Sequence, residues 1–400
     1  MKPKIRVKGF NDAWEYSYLY NCLEISTEVN KENKYGKDEV LSVSDDFGVV
    51  NQIKHLGRSY AGKSVSGYKI LLPGQIVYTK SPLRDKPFGI IKENNYQAGI
   101  VSVLYAVYNV KEGIFSKYIQ RYFEPKQRIN KYLVPLVNKG AKNTMNISDE
   151  MSLNGKITKP VTICEQQAIC SYFDKVDELI STASSCLVSL KQVKESSLQA
   201  MFPQKGETVP KIRFKGFEGE WSTDNLGSIF MERIESNEQG EMLSVTMNNG
   251  IIKASDNGRF DNSNSDKSKK KVVKIGDIAY NSMRMWQGAS GVSQYEGIVS
   301  PAYTVVTPIM DVDTGFFGYL FKTNDVIRLF KLNSQGLTSD NWNLKYPAFS
   351  KICVSYPKDK EEQQKIASYF TALDKQISLQ IQRLEKLKQI KAACLDKMFV

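Results

Sequence analysis

The feature that most constrains this chain is that it is written twice. Pro3-Lys4-Ile5-Arg6-Val7-Lys8-Gly9-Phe10 returns as Pro210-Lys211-Ile212-Arg213-Phe214-Lys215-Gly216-Phe217, and Trp14 returns as Trp221, both displaced by 207 positions. Leu41-Ser42-Val43-Ser44 and Gly48-Val49-Val50 are answered by Leu243-Ser244-Val245-Thr246 and Gly250-Ile251-Ile252 at a displacement of 202, which still holds where Gly74-Gln75-Ile76-Val77-Tyr78 meets Gly276-Asp277-Ile278-Ala279-Tyr280. Gly99-Ile100-Val101-Ser102 with Tyr105 becomes Gly297-Ile298-Val299-Ser300 with Tyr303 at 198. Glu165-Gln166-Gln167 with Ser171-Tyr172-Phe173 becomes Glu362-Gln363-Gln364 with Ser368-Tyr369-Phe370 at 197, carried through to Met201-Phe202 and Met398-Phe399. The displacement shrinks in small steps between landmarks that keep their order, as loops do between two copies of one fold.

With 400 residues, 41% hydrophobic and 24% charged, each copy is long enough to bury its own core. Within each, short β-rich runs such as Lys69-Ile70-Leu71-Leu72, Gln75-Ile76-Val77-Tyr78 and Ile298 to Val306 are divided by Pro-Gly, Ile-Gly-Asp and Asn-Gly turn signals. Helices are expected near Ser116 to Phe123 and Gly315 to Leu332. The globular part is therefore mixed α and β, of underivable topology.

The end of each copy has a different period. Ile169, Phe173, Val176, Ile180, Ala183, Leu187 and Leu190 advance in alternating steps of four and three, and Ile366, Phe370, Leu373, Ile377, Gln380, Leu384 and Leu387 repeat the phase. Neither stretch contains Pro or Gly between its Glu-Gln-Gln and its Met-Phe, so each predicts a helix of about 35 to 40 residues. A seam this long exceeds what one small domain covers, which favours pairing of the two helices. The first helix leads through the Pro203 to Thr208 linker into the second copy. To cover that seam, the second helix must run back, antiparallel, with a pseudo-twofold axis between the copies and the C-terminus near the first domain. The resulting fold class is α+β: two tandem mixed domains, 1–160 and 205–357, each followed by a long helix, 161–204 and 358–400.

A formal charge of +12 and a pI near 9.1 point to a polyanionic partner, nucleic acid before others. Six scattered cysteines without a C-x-x-C pair and a single histidine, His55, argue against a zinc site or a disulfide framework. The charged start, Met1-Lys2-Pro3-Lys4, precedes no apolar run, and no uninterrupted apolar stretch of about 18 residues occurs, so a cytoplasmic location is expected and no membrane contact.

Two globular units, each followed by a helix announced by Pro160 with Glu165-Gln166-Gln167 or Pro357 with Glu362-Gln363-Gln364, resemble the specificity subunits of type I restriction-modification systems, the HsdS family. The Pro-Lys-Ile-Arg-x-Lys-Gly-Phe phrases and Gly297-Ile298-Val299-Ser300-Pro301-Ala302-Tyr303 carry the resemblance as well. It covers the whole chain. It implies two target recognition domains reading the halves of a split, asymmetric double-stranded DNA sequence, with the helices fixing the gap. Its implied partners are two methylating modification subunits and two translocating nuclease subunits, which would bind S-adenosylmethionine, ATP and Mg; this chain would hold no cofactor or metal. In the first copy Val103-Leu104 stand where the second has Pro301-Ala302, which weakens transfer of residue roles there.

No phosphate loop of the G-x-x-x-x-G-K-[ST] type and no Asn/Asp-Pro-Pro-aromatic run is present, and the adjacent carboxylates Asp45-Asp46 and Glu361-Glu362 read as solvated. The chain is expected to be non-catalytic. DNA contacts need Lys, Arg, Asn or Gln on loops. In the second copy these are Arg284 and Gln287, beside a packing residue, Trp286; the loop lysines Lys267, Lys269, Lys270 and Lys271; and Asn341 in the loop from Ser334 to Asn343. In the first copy they are Lys80 and Arg84, then Lys139, Lys142, Asn143 and Asn146 in the polar loop before its helix. Tyr105 and Tyr303 hold matching strand positions and read as packing. The competing readings are a repeat scaffold that binds proteins through its seams, and a nuclease or methyltransferase in its own right.

Overall fold

The computed structural model describes residues 2–81, 83, 86–139, 145–247, 250–257, 270–338 and 341–400. The chain divides into two compact units, one made of Met1–Ser184 with Gln382–Val400 and the other of Ser185–Ile381. Each unit therefore takes the start of its own copy's long helix and the end of the other copy's.

In the first unit, Leu23–Ile25, Tyr105–Val110, Ile76–Thr79 and Ile90–Glu93 lie side by side in that order as an antiparallel sheet. The second unit has the same order in Phe230–Glu232, Tyr303–Pro308, Ile278–Asn281 and Ser290–Val292. The central strands are buried on both faces, Ile76, Val77 and Tyr78 in one and Ile278, Ala279 and Tyr280 in the other, so they read as continuous apolar runs rather than alternating ones. Register is shared too: Ile76 faces Tyr108 as Ile278 faces Val306.

Smaller pairs repeat around each sheet. The hairpin Leu41–Ser44 with Gly48–Asn51 matches Leu243–Thr246 with Gly250–Lys253, and Lys69–Leu71 with Gly99–Val101 matches Lys271–Val273 with Gly297–Val299. The Gly-Ile-Val-Ser landmark has a steric reason. A Cβ on Gly99 would sit 2.5 Å from the Glu39 carbonyl oxygen, and one on Gly297 would sit 2.4 Å from that of Glu241, so only glycine admits the neighbouring chain.

Two expected runs are broken. Ile298 to Val306 is two strands, Gly297–Val299 and Tyr303–Pro308, because the chain turns between them and Tyr303 N–H donates to the Ser300 carbonyl. Gly315 to Leu332 is two helices, Thr314–Leu320 and Asn324–Asn333, interrupted where the Thr323 hydroxyl donates back to the Leu320 carbonyl.

The long helices span Ile163–Ala200 and Lys360–Lys397. Within each unit they lie side by side and antiparallel. In the first, Tyr172 meets Cys394 (Oη to Sγ 3.2 Å) while Asp177 meets Lys391 (2.8 Å). In the second, Lys194 meets Asp374 (2.5 Å) while Ser197 meets Tyr369 (2.9 Å). The heptad seam is unevenly covered. Ile169, Phe173, Val176 and Ala183 are buried, as are Ile366, Phe370 and Leu373, whereas Ile180, Leu187, Leu190, Ile377, Gln380, Leu384 and Leu387 are half-buried. The first turns of each helix lie against globular domain as well as partner helix; further along, a two-helix pair leaves its flanks open.

Each unit is closed by the Met-Phe end of the other copy's helix. Phe399 packs among Trp14, Tyr118, Tyr122 and Phe173, with Met398 and Leu395 in the same core. Phe202 packs among Trp221, Phe316 and Phe370, with Met201 beside it. Ile5 N–H donates to the Lys397 carbonyl (3.1 Å) and Ile212 N–H to the Ala200 carbonyl (2.9 Å), at matching places.

Candidate nucleic-acid interface

The repeated motifs turn out to be structural locks. Arg6 makes a two-pronged pair with Glu165, Nε to Oε1 at 2.7 Å and Nη2 to Oε2 at 2.8 Å, and Arg213 pairs with Glu362 at the same distances. Glu165 and Glu362 are 2% and 1% exposed, so Glu362 is not the solvated carboxylate its sequence neighbourhood suggests. A buried carboxylate needs such a fork because it must replace most of the water it loses. The next residue secures the helix start: Gln166 accepts from Phe115 N–H and donates to the Gly113 and Pro160 carbonyls, and Gln363 accepts from Asp313 N–H and donates to the Pro357 carbonyl. The Pro-Lys-Ile-Arg and Glu-Gln-Gln phrases thus tie the entry of each copy to its long helix.

Of the residues singled out for DNA, the structure gathers one group in the second unit. After the strand Ile278–Asn281 the chain makes a tight turn: Arg284 N–H donates to the Asn281 carbonyl, Gln287 N–H to that of Arg284, and Gly288 N–H to that of Met285. Met285 is buried, which anchors the turn, while Arg284 and Gln287 are exposed on it. Neither side chain makes a hydrogen bond or ion pair with a described residue. Trp286 is half-buried; its indole donates to the Met283 carbonyl (3.0 Å) and its ring meets Trp342 edge-on at 5.2 Å. Asn341 is exposed next to Trp342, on the loop closed by the Gln335–Asn343 bridge.

The other described candidates are committed elsewhere or lie apart. Lys270 is 3% exposed, with Nζ at 3.3 Å from the Met242 sulfur, and Lys271 pairs with Glu232 at 3.0 Å. Lys80 pairs with Asp149, which Lys69 also holds; burial would raise the Asp149 pKa, but the two ammonium groups outweigh it and bring it below the usual carboxylate range. Lys139 and Asn146 lie on the short strands Asn138–Lys139 and Met145–Asn146, which pair with each other. Arg84, Lys142, Asn143, Lys267 and Lys269 fall outside the described residues. Tyr105 and Tyr303 pack against small apolar clusters, Tyr105 beside Val43 and Leu41 and Tyr303 beside Leu243 and Val245.

Three residues of this region were not singled out from sequence. Lys331, exposed at the end of the helix Asn324–Asn333, holds its ammonium 5.5 Å from the Trp342 ring centre. Trp342 itself carried a signal: Trp14 and Trp221 are matched by the repeat, whereas Trp286 and Trp342 have no tryptophan counterpart in the first copy. Lys322 is held behind the turn, donating to the carbonyls of Gly288, Ser290 (2.9 Å) and Met247 (3.3 Å); burial, then the nearby Lys194, push its pKa down to about 8. No sequence pattern marks a buried lysine of this kind. Among the described residues no group of three or more His, Cys, Asp or Glu is placed to hold a metal ion, and no helix is long and apolar enough to cross a membrane.

Residues 219–389, essentially the second copy and its helix, match the family described as Type I restriction modification DNA specificity domain. That match spans less than half of the chain, and it makes the second copy similar to the domain of that family. Among curated members it is 29% identical over 137 residues to the Type I restriction enzyme HindI specificity subunit of Haemophilus influenzae, a stretch covering 33% of this chain and only 29% of that protein. Its fold is shared with the S subunit of a Type-I restriction-modification system from M. genitalium, at a TM-score of 0.55 and 12% identity over 100% of this chain and 99% of that one. A chain solved in work on complex assembly and conformational transition of the type I R-M system gives a TM-score of 0.51 at 14% identity, over 96% and 97%. The family match falls on the copy that carries Arg284 and Gln287, and the first copy repeats its sheet order.

Proposed function

We propose that this chain is the DNA-reading subunit of a type I restriction-modification complex, non-catalytic itself, that binds a split, asymmetric double-stranded target. Each globular unit reads one part, and the paired helices hold the two parts at a fixed gap. Adenine methylation and restriction are carried out by two modification and two restriction subunits, to which S-adenosylmethionine, ATP and Mg belong; the complex works in the cytoplasm. The observation that carries this reading is the duplicated domain of a DNA specificity family, bearing on its second copy a rigid turn with an exposed, unneutralised arginine and a neighbouring amide. Arginine with its planar fork and an amide side chain are the groups that recognise guanine and adenine edges in a major groove.

The test is to reconstitute the chain with modification subunits, supply S-adenosylmethionine and DNA, and map methylated adenines by single-molecule sequencing. A motif of two short specified parts separated by an unspecified gap is the expected result, with binding that weakens steeply as salt rises. Methyl transfer or DNA cleavage by the chain alone, or salt-insensitive association with proteins only, would overturn the assignment.

A further inference from the structure

Within the second unit, the turn bearing Arg284 and the loop bearing Trp342 are built as one piece although nearly sixty positions separate them. Leu344 N–H donates to the Ser282 carbonyl at 2.8 Å, and the Leu344 side chain is fully buried, so the stems of the two segments are joined. The Trp342 loop is closed by Gln335 and Asn343, whose N–H groups donate to each other's carbonyls at 3.0 and 2.8 Å. A Cβ on Gly336, at φ +151°, would lie 2.6 Å from the Asn341 carbonyl oxygen, so the loop's two sides touch where only glycine fits. The Arg284 turn is fixed from the other side by Met285 in the core and by Lys322 on the Gly288 and Ser290 carbonyls. Between the segments stand the two tryptophans, edge to face, with the Trp286 indole hydrogen tied to Met283.

This clasp presents Arg284, Gln287 and Asn341 exposed, with Lys331 beside Trp342. Charge separates this surface from two of the other lysines expected to contact DNA. Lys80 and Lys271 are neutralised by Asp149 and Glu232, whereas Arg284 and Lys331 have no carboxylate partner among the described residues. Unneutralised cations on a rigid support lose little conformational entropy on binding and gain from phosphate and base-edge contact.

Building on the DNA-reading assignment, we propose that Trp286 and Trp342 form a positioning clasp that sets how Arg284 meets its base, and that Lys331 is a phosphate contact of the same surface. Selectivity at one position of the second unit's part of the target is then fixed jointly by the two loops. Arg284 is the residue that touches the base; Trp342 acts through it.

The experiment uses the reconstituted complex, DNA carrying the wild-type motif with each base pair changed in turn, and the variants Arg284→Ala, Trp342→Ala, Trp342→Phe and Lys331→Ala. Arg284→Ala and Trp342→Ala should lose discrimination at the same base pair, by roughly 5- to 150-fold, and leave the other part of the motif selective. Trp342→Phe, which keeps a ring edge for Trp286, should retain most of it. Lys331→Ala should weaken binding to all sequences alike and lower the slope of log affinity against log salt by about one. A mere packing role for Trp342 would lower affinity without moving that one base preference. Relaxation at different positions, or none with Trp342→Ala, overturns the clasp. If Trp342→Ala unfolds the unit, the decision passes to Trp342→Phe, whose loss of the base preference in a folded unit overturns the clasp, and to the salt slope of Lys331→Ala, which if unchanged overturns its phosphate contact. A wild-type complex with no split motif refutes the DNA-reading assignment itself, whereas an intact motif with indifferent variants removes only the clasp.

Discussion

The two copies close their cores by the same means but finish their polar bonds differently. In the first, Glu165 receives the Arg6 fork and a third donor, the Trp14 indole N–H at 3.0 Å. In the second, among the described residues, Glu362 receives the Arg213 fork alone and the Trp221 indole N–H is buried with no partner. The helix faces differ further. Arg121 binds Glu124, Asp174 and Asp177, and Lys391 binds Glu124 and Asp177; at the matching places in the second copy stand Tyr319 and Lys322, leaving the single pair Lys194–Asp374 with Tyr319 donating to Asp374. What both copies keep is the ring cluster around the incoming phenylalanine, the Arg–Glu fork and the glutamine at the helix start. The fold rests on these, and the surrounding charges are replaceable.

The largest expected effect tests whether the closures are equivalent. Phe399→Ala removes a ring in contact with four aromatic residues and should cost about 3 to 5 kcal/mol, as should Phe202→Ala. The losses should fall in different units despite the residues' places in sequence. Hydrogen exchange read by mass spectrometry should show Tyr105–Val110 losing protection in Phe399→Ala and Tyr303–Pro308 losing it in Phe202→Ala. The opposite assignment, or equal loss in both strands, breaks the comparison.

The fork should show the first asymmetry. Arg6→Ala and Arg213→Ala each strand a buried carboxylate, a change of about 3 kcal/mol or more. Glu165 keeps the Trp14 N–H, whereas Glu362 keeps nothing comparable, so Arg213→Ala should be the more damaging by about 1 to 2 kcal/mol. Denaturant midpoints of the two variants, with exchange data to place each loss, check the order; equal costs would mean that the indole bond contributes nothing.

Acid should separate the units next. In the first, burial works against the ionised forms of Asp45, Glu124, Asp149 and Asp177, but neighbouring lysines and Arg121 outweigh it and leave all four pKa values below the ordinary 3.8 or 4.5. In the second, the exposed Glu235 is lowered, through Lys274. A carboxylate whose folded pKa is depressed adds stability above its unfolded pKa and loses it as pH falls through the folded one. The first unit should therefore lose exchange protection first as pH drops below about 4, ahead of the second. Simultaneous loss would show that the ion network adds no net stability.

What could be read from the chain alone follows from separation along it. The repeat, the sheet strands and both long helices rest on local pattern and on matching one copy with the other, and were legible. Glu165 was recognised as a landmark but not as a lock, because its partner Arg6 is 159 positions away and no local pattern announces it. Glu361-Glu362 looked like one solvated pair, yet the second member faces the core one helix position away from an exposed neighbour. For DNA contact, sequence counts lysines but cannot tell Lys271, already neutralised by Glu232, from Lys331, left open; that distinction is made by folding. Trp342 was legible in principle, as a tryptophan the repeat does not require.

The smallest effect gives the cleanest comparison. Trp14→Phe and Trp221→Phe remove the same atoms from equivalent ring clusters, so the packing loss should be nearly common to both. Trp14→Phe also deletes a hydrogen bond to an ionised carboxylate, a further cost of about 1 to 3 kcal/mol, while Trp221→Phe deletes a buried donor with no acceptor among the described residues and should recover part of its packing loss. Thermal or denaturant unfolding of the two variants should thus rank Trp14→Phe as the less stable by about 1 kcal/mol or more. The indole bond then accounts for why the first copy tolerates loss of its arginine better than the second, and equal stabilities would remove that explanation along with the predicted order of the arginine variants.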